Sequence, residues 1–472
     1  MSINIFSILL LIVIVWIIIK NRGLKKKLLN MTLLTVFLEL YVEMGYFINI
    51  KGTLISYRTI GEMFLLFISI LSLVKLHKIK INKNVFFLIC IIIIGIINLI
   101  LIPAKVKTAN GNISWDDFIM GQSFEYINFN FFVVQEALQM IVFIINVLAI
   151  YNIFEKEDYK EMLIKFSRII KIILIFGLVE FVIKYILHSN IYNEISNIIF
   201  GKAEASVLVL KERGTGYILQ GFTTEASHYA YVLMVSTIIL FASNQMTNKE
   251  KKWIGICIFL MCTSMSFSSI LFVFGLSVIY ILYRISNTKT NKIKIIKIFL
   301  IFLIILIMMG IVIFNFSNIF NNLSENNFLQ RRLKSLIQEI ELIFNGEWTT
   351  STESLEWSNR VRLVSSFETL RLIKYRPLFG LGIASVTSHG STTMLLAGIG
   401  VLGSYFWIKY IFFSLKNNLC NVNRIYYDLA IVTWFLINML NSMGLRPFYE
   451  LSSIFLMEAF IIIFSVNTKI KI

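Results

Sequence analysis

Apolar runs of about twenty residues recur along nearly the whole chain, separated by short loops rich in lysine and arginine. Runs of that length suit helices that cross a bilayer, and they constrain the fold more than any other feature of the sequence. Spans are read near 3–19, 29–49, 59–75, 85–103, 131–153, 169–187, 229–243, 298–315, 392–413, 427–441 and 450–466. The stretch 253–284 is too long for one span and carries the polar "CTSMSFSS" in its middle, so it divides into two short helices. The expectation is an all-α, polytopic membrane bundle of about thirteen helices, a single membrane domain over 1–472. Composition agrees, with 57% hydrophobic and 15% charged residues, against about 25% charged in soluble domains.

The net charge of +17 looks at first like a nucleic-acid signal, but its distribution points elsewhere. The basic residues gather in "KNRGLKKK", "KLHKIKINK", "EKEDYKEMLIKFSR", "NKEKK", "RISNTKTNKIKIIK" and the tail "NTKIKI". Short basic loops of this kind face the cytoplasm. The longer segments 104–130, 188–228 and 316–391 then face outward, with the N-terminus outside and the C-terminus inside, in a multi-pass protein of the cytoplasmic membrane. Met1 to Ile19 has no basic leader region and no small-residue cleavage site, so it reads as the first span. Cys90, Cys257, Cys262 and Cys420 form neither a disulfide framework nor a zinc-site spacing.

Within the outer segment 316–391, "FLQRRLKSLIQEIELIF" sets Leu329, Leu333, Leu336, Ile340 and Ile343 at helical spacing. Ser358 suits the cap of a second amphipathic helix, "NRVRLVSSFETLRLIKY", which stops before Pro377. "PLFGLG" then re-enters the apolar region.

Polar groups near a bilayer are costly and point to function. The outer-face candidates are Arg213, Glu225, His228, Arg360, Arg362, His389 and Arg446. Each also has a plain structural role open to it. Arg213 suits a loop cation held by Glu212 or a headgroup phosphate, and Glu225 a carboxylate at a helix start, where the dipole favours it. His228 suits helix packing, Arg360 and Arg362 solvated charges on an amphipathic helix, and His389 an ordinary loop imidazole. Glu39, Glu43 and Glu180 fall inside apolar spans, as partners for buried donors. Taken together, several outer arginines make a receptor for a diphosphate, because guanidinium binds phosphate oxygens in a bidentate way. A neighbouring Glu or His suits proton removal from a hydroxyl nucleophile. The outer face carries no Asp-rich metal motif, so the expectation is metal-independent transfer with no cofactor.

At these residues the chain resembles the O-antigen ligase and polymerase family. "RGTGYILQGFTTEASHYA" is similar to the family's Arg, Gly-containing stretch and helix-opening Glu-Pro-Ser, with Glu225 and Ser227 matching and Ala226 in place of Pro. "SNRVRLVSSFETLRLIKYRPLFGLGIAS" resembles the second block, Arg360 taking the Arg position and Pro377, Gly380 and Gly382 the turn. "SHGSTTMLLAGIGVLGSYFW" resembles the third, through His389, Gly398, Gly400 and Gly403, with Gly390 where Asn is common. The polar "TSMSFSS" resembles the family's serine-rich hairpin without its usual Arg. The likeness runs over about residues 130 to 466.

The resemblance implies glycosyl transfer between undecaprenyl-diphosphate-linked oligosaccharides at the outer face of the membrane. Arg213, Arg360 and Arg362 would hold the diphosphate, and Glu225 or His389 would activate the acceptor hydroxyl, with His228 and Arg446 as possible neighbours. Partners would be the lipid-linked substrate, the bilayer and other polysaccharide assembly proteins such as a flippase or chain-length regulator, with no nucleic acid. A repeat-unit polymerase of capsule or exopolysaccharide is the favoured expectation. A ligase passing finished polymer to another acceptor, a lipid-linked oligosaccharide flippase and a non-catalytic scaffold are the alternatives.

Overall fold

A computed structural model describes residues 2–41, 46–50, 53–81, 83–100, 131–189, 191–200, 219–221, 223, 226–247, 249–264, 269, 272–273, 369–382 and 391–418. Over these residues the chain is mostly helical. The helices are α1 (Ile5–Lys20), α2 (Leu24–Tyr41), α3 (Tyr57–Val74), α4 (Lys83–Ile100), α5 (Phe131–Ile153) and α6 (Lys156–Phe181). They continue with α7 (Ile191–Phe200), α8 (Ala226–Thr247), α9 (Lys251–Thr263) and α10 (Ser391–Asn418). A π-helical turn, Val182–Ile186, extends α6.

The helices follow the apolar runs closely, with two departures. The run at 29–49 is not one helix: α2 ends at Tyr41, and Tyr46–Ile50 forms a strand instead. "GYFINI" is aromatic and β-branched, and a short apolar run of this kind suits strand as well as helix. This strand, β2, pairs antiparallel with β1 (Ser2–Ile3) on one side and with β3 (Thr53–Ser56) on the other. The register sets Ile3 opposite Ile48, and Ile48 opposite Ile55. The second departure is α7, a ten-residue helix inside the segment 188–228 that reads as loop. The first of the two short helices expected within 253–284 is α9; the runs at 298–315, 427–441 and 450–466 lie outside the described residues.

Among the described residues, large apolar side chains are exposed as well as buried, and polar groups lie buried among the helices. Ile8, Ile12, Trp16 and Ile19 on α1, and Ile172, Ile175, Phe176 and Val179 on α6, are exposed. Hydroxyls and amides are buried between helices, where Ser69 donates to Asn146 at 2.8 Å and Ser243 to Ser167 at 3.1 Å. Buried Thr32 and Thr35 return their protons to carbonyls one turn back. By length and composition α3 is able to cross a membrane, and Ile5–Lys20, Val85–Asn98, Leu138–Ile153, His228–Asn244 and Leu395–Tyr410 are shorter apolar helices.

Contacts between loops gather at two ends of the bundle. At one, Lys25 meets Asp158 at 2.7 Å, Asn152 bonds the Lys80 backbone, and Lys171 meets Glu250. All of these belong to or border the basic loops. At the other end lie the sheet, α7 and the turn before α8. There the Asn4 amide donates to the carbonyls of Tyr46 and Phe200, at 2.9 and 3.2 Å. Buried Tyr57 donates to the Phe200 carbonyl and accepts from Ser7. These bonds satisfy the carbonyl of buried Phe200 at the C-terminus of α7.

The hydrogen bond to Asp158 raises the Lys25 pKa, with burial opposing and the charges of Asp158 and Glu155 adding to the rise. A raised lysine pKa stabilises the folded state below the ordinary lysine value, and the contribution is lost as pH climbs through the raised one. Because Lys25 is substantially exposed, Lys25→Ala should cost no more than about 1 kcal/mol. Thermal unfolding in detergent should show that small loss at neutral pH and low salt, and its disappearance in concentrated salt.

Candidate functional site

Four residues of the first block, 219–221 and 223, form the approach to α8, and a buried carboxylate organises them. Oε1 and Oε2 of Glu180 accept the backbone N–H groups of Gln220 at 2.9 Å and Gly221 at 2.7 Å. Lys184, one turn further along the same helix, donates to Glu180 Oε1 at 2.6 Å. Both side chains have 0% exposure. The Lys184 ammonium also lies 5.8 Å from the centre of the Tyr192 ring on α7. Thr223 closes the turn, its N–H and hydroxyl both donating to the Gln220 carbonyl.

Gly221 sits at φ +55, where a side chain is rarely accommodated. A Cβ there would also come within 2.5 Å of the Tyr229 ring. Tyr229 belongs to the first turn of α8 and is buried, so carboxylate and ring grip the turn from two sides. Next to it, His228 is half-buried on the first turn of α8. Glu180 therefore serves as the partner of buried donors that its place in an apolar span implies. Lys184 is not anticipated by the sequence reading, although the i, i+4 spacing in "LVEFVIKYI" is its visible signal.

The second and third blocks interlock. Gly400 has φ 65 and ψ −171 and breaks α10. An unbroken helix would bond Val401 N–H to the Ala397 carbonyl and Leu402 N–H to that of Gly398. Instead the segment 377–382 occupies both rungs. Val401 and Leu402 donate to the carbonyls of Pro377 and Leu378, each at 2.9 Å. In turn Leu381 and Gly382 donate to the carbonyls of Ala397 and Gly398, each at 2.8 Å. Two helix rungs become four bonds, and no backbone group released by the break at these positions is left without a partner. The approach is close enough that a Cβ on Gly380 would overlap the Gly398 carbonyl. Asn98 of α4 donates to the Phe379 carbonyl at 2.5 Å, fastening the inserted turn to the helix that packs along α10.

Residues 369–372 are helical, and a 3-10 turn, Ile373–Tyr375, ends that segment before Pro377. This agrees with the expected stop, and Leu370 in this segment is exposed. Leu378, Phe379 and Tyr375 are also exposed beside the cations Arg371 and Lys374.

Of the residues expected to act chemically, His228 is described. Arg213, Glu225, Arg360, Arg362, His389 and Arg446 lie outside the described residues, as do Glu43, Cys420 and the helix expected at 329–343. Their immediate neighbours are placed: α8 starts one residue after Glu225, and α10 starts two after His389. Cys90, Cys257 and Cys262 are free thiols. No protein-family model, curated protein or solved structure matches this chain.

Proposed function

We propose that this chain is a polytopic membrane glycosyltransferase that polymerises oligosaccharide repeat units carried on undecaprenyl diphosphate. About thirteen helices cross the bilayer, with the N-terminus and the end that carries the sheet outside and the basic loops and C-terminus in the cytoplasm. Exposed apolar side chains on α1 and α6, with hydroxyls and amides buried between helices, support the membrane reading. The observation that carries the transferase reading is the interlock of "PLFGLG" with "AGIGVLG". Two sequence blocks separately similar to one family's motifs become a single backbone unit through the glycines that carry the likeness. The first block's turn, held by Glu180, precedes α8, whose first residue follows Glu225 in sequence.

In this reading Arg213, Arg360 and Arg362 bind the diphosphate of the growing lipid-linked chain, where guanidinium neutralises charge that develops on the leaving oxygen. Glu225 or His389 takes the proton from a hydroxyl of the incoming lipid-linked unit. That oxygen attacks the anomeric carbon of the donor, a new glycosidic C–O bond forms, and the bond from the anomeric carbon to the diphosphate oxygen breaks. The electron pair leaves with the lipid diphosphate. One repeat is added at the reducing end.

Purified full-length protein given lipid-linked repeat units should produce a ladder of products spaced by one repeat. A deletion strain should hold single lipid-linked repeats. Accumulation of long lipid-linked polymer in that strain would instead identify a ligase, and retention of unpolymerised repeats on the inner leaflet a flippase.

A further inference from the structure

We propose that the buried Glu180–Lys184 pair is a positioning device for the transfer site, setting the turn 220–223 from which α8 departs. The inference rests on the transferase reading for its catalytic consequence, but its structural half stands alone. Glu180 and Lys184 are four residues apart on one continuous helical segment, so their ion pair ties no second helix to the bundle. Burying two charges is costly, and such a pair is weak as a source of stability compared with well-packed apolar residues. What it does instead is done by the remaining bonds of the carboxylate, to the N–H groups of Gln220 and Gly221. Both donors are backbone atoms forty or more residues away in sequence.

Lys184 has a definite part in this arrangement. Its ammonium donates to Oε1, so that the two carboxylate oxygens, acceptors only when ionised, take this donor and the two backbone donors together. A neutral amide would offer one oxygen and turn an N–H₂ group toward a backbone N–H. The grip of the turn and the start of α8 are thus coupled to a charge on a different helix. Glu180 touches no reacting atom in this account and acts only through the turn.

The test uses the full chain in detergent and three variants: Glu180→Gln, Lys184→Met and the double variant. The double variant leaves no uncompensated charge and keeps the experiment decisive if a single variant fails to fold. Hydrogen-exchange mass spectrometry of peptides spanning 219–223 should show amide exchange at least about tenfold faster in Glu180→Gln and in the double variant, the expected scale for losing a charge-assisted bond. Peptides from the sheet and from α3 should keep wild-type rates. In the ladder assay, kcat should fall about tenfold or more with KM within about twofold, as expected when an interaction matters in the transition state and not in substrate binding.

Unchanged exchange at 219–223 overturns the proposal. So does acceleration shared equally with the sheet and α3, which would make the pair a general stabiliser. Faster local exchange with unaltered kcat overturns the positioning role. If the wild-type protein makes no ladder, the transferase reading fails by itself, and the exchange result still decides whether the pair holds the turn.

Discussion

Gly400→Ala should cost more than about 3 kcal/mol of stability and release the inserted turn. The backbone at Gly400, with φ 65 and ψ −171, lies in a region essentially restricted to glycine. Its added Cβ would also stand 2.5 Å from the Gly380 nitrogen and 2.5 Å from the Leu378 oxygen. Both atoms are main chain and belong to the hydrogen-bonded insertion, so no side-chain rotation relieves the overlap. Gly255 is the matching control: it lies on α9, and a Cβ there meets nothing within 4 Å. Gly255→Ala should gain about 0.5–1 kcal/mol through helix propensity. Thermal inactivation in detergent, followed by size exclusion, measures both. Equal behaviour of the two variants would mean that the break at Gly400 is not held by the insertion.

Arg360→Ala and Glu225→Ala should each lower ladder formation by about a hundredfold or more at unchanged expression. Loss of one group that stabilises charge on a departing oxygen costs about 10² to 10³ in rate, and loss of a general base about 10² to 10⁴. The two effects should differ in kind. Without Arg360 the leaving diphosphate loses a cation at every pH. Without Glu225, activity should recover in part as pH rises and the hydroxyl ionises more readily. Full ladder formation by both variants would reject the site assignment. The Glu180 variants should be milder, because they displace the start of α8 without removing a reacting group.

The sequence is most informative where one apolar run makes one helix. The runs at 3–19, 59–75 and 131–153 correspond to α1, α3 and α5 within a few residues. It misleads at 29–49, because hydropathy measures burial and is silent on whether the buried backbone is helix or strand. β2 shows its character only through pairing with Ser2–Ile3 and Thr53–Ser56. α7 escapes notice because it is ten residues long and only partly apolar. The glycines of "PLFGLG" and "AGIGVLG" are visible as unusual, but their union depends on the break at Gly400 bringing two unsatisfied rungs to meet a passing turn. Glu180 likewise stands out as a charge in an apolar run. Its acceptor role depends on Gln220 and Gly221, whose main-chain donors leave no trace in residue type.

Interrupted membrane helices in transporters commonly leave main-chain groups open to coordinate a solute. The interruption in α10 does the opposite. Val401 and Leu402 donate, and Ala397 and Gly398 accept, entirely within the protein's own chain. Both N–H groups are used up in these bonds and each carbonyl already accepts one, so the discontinuity behaves as a lock and not as a socket.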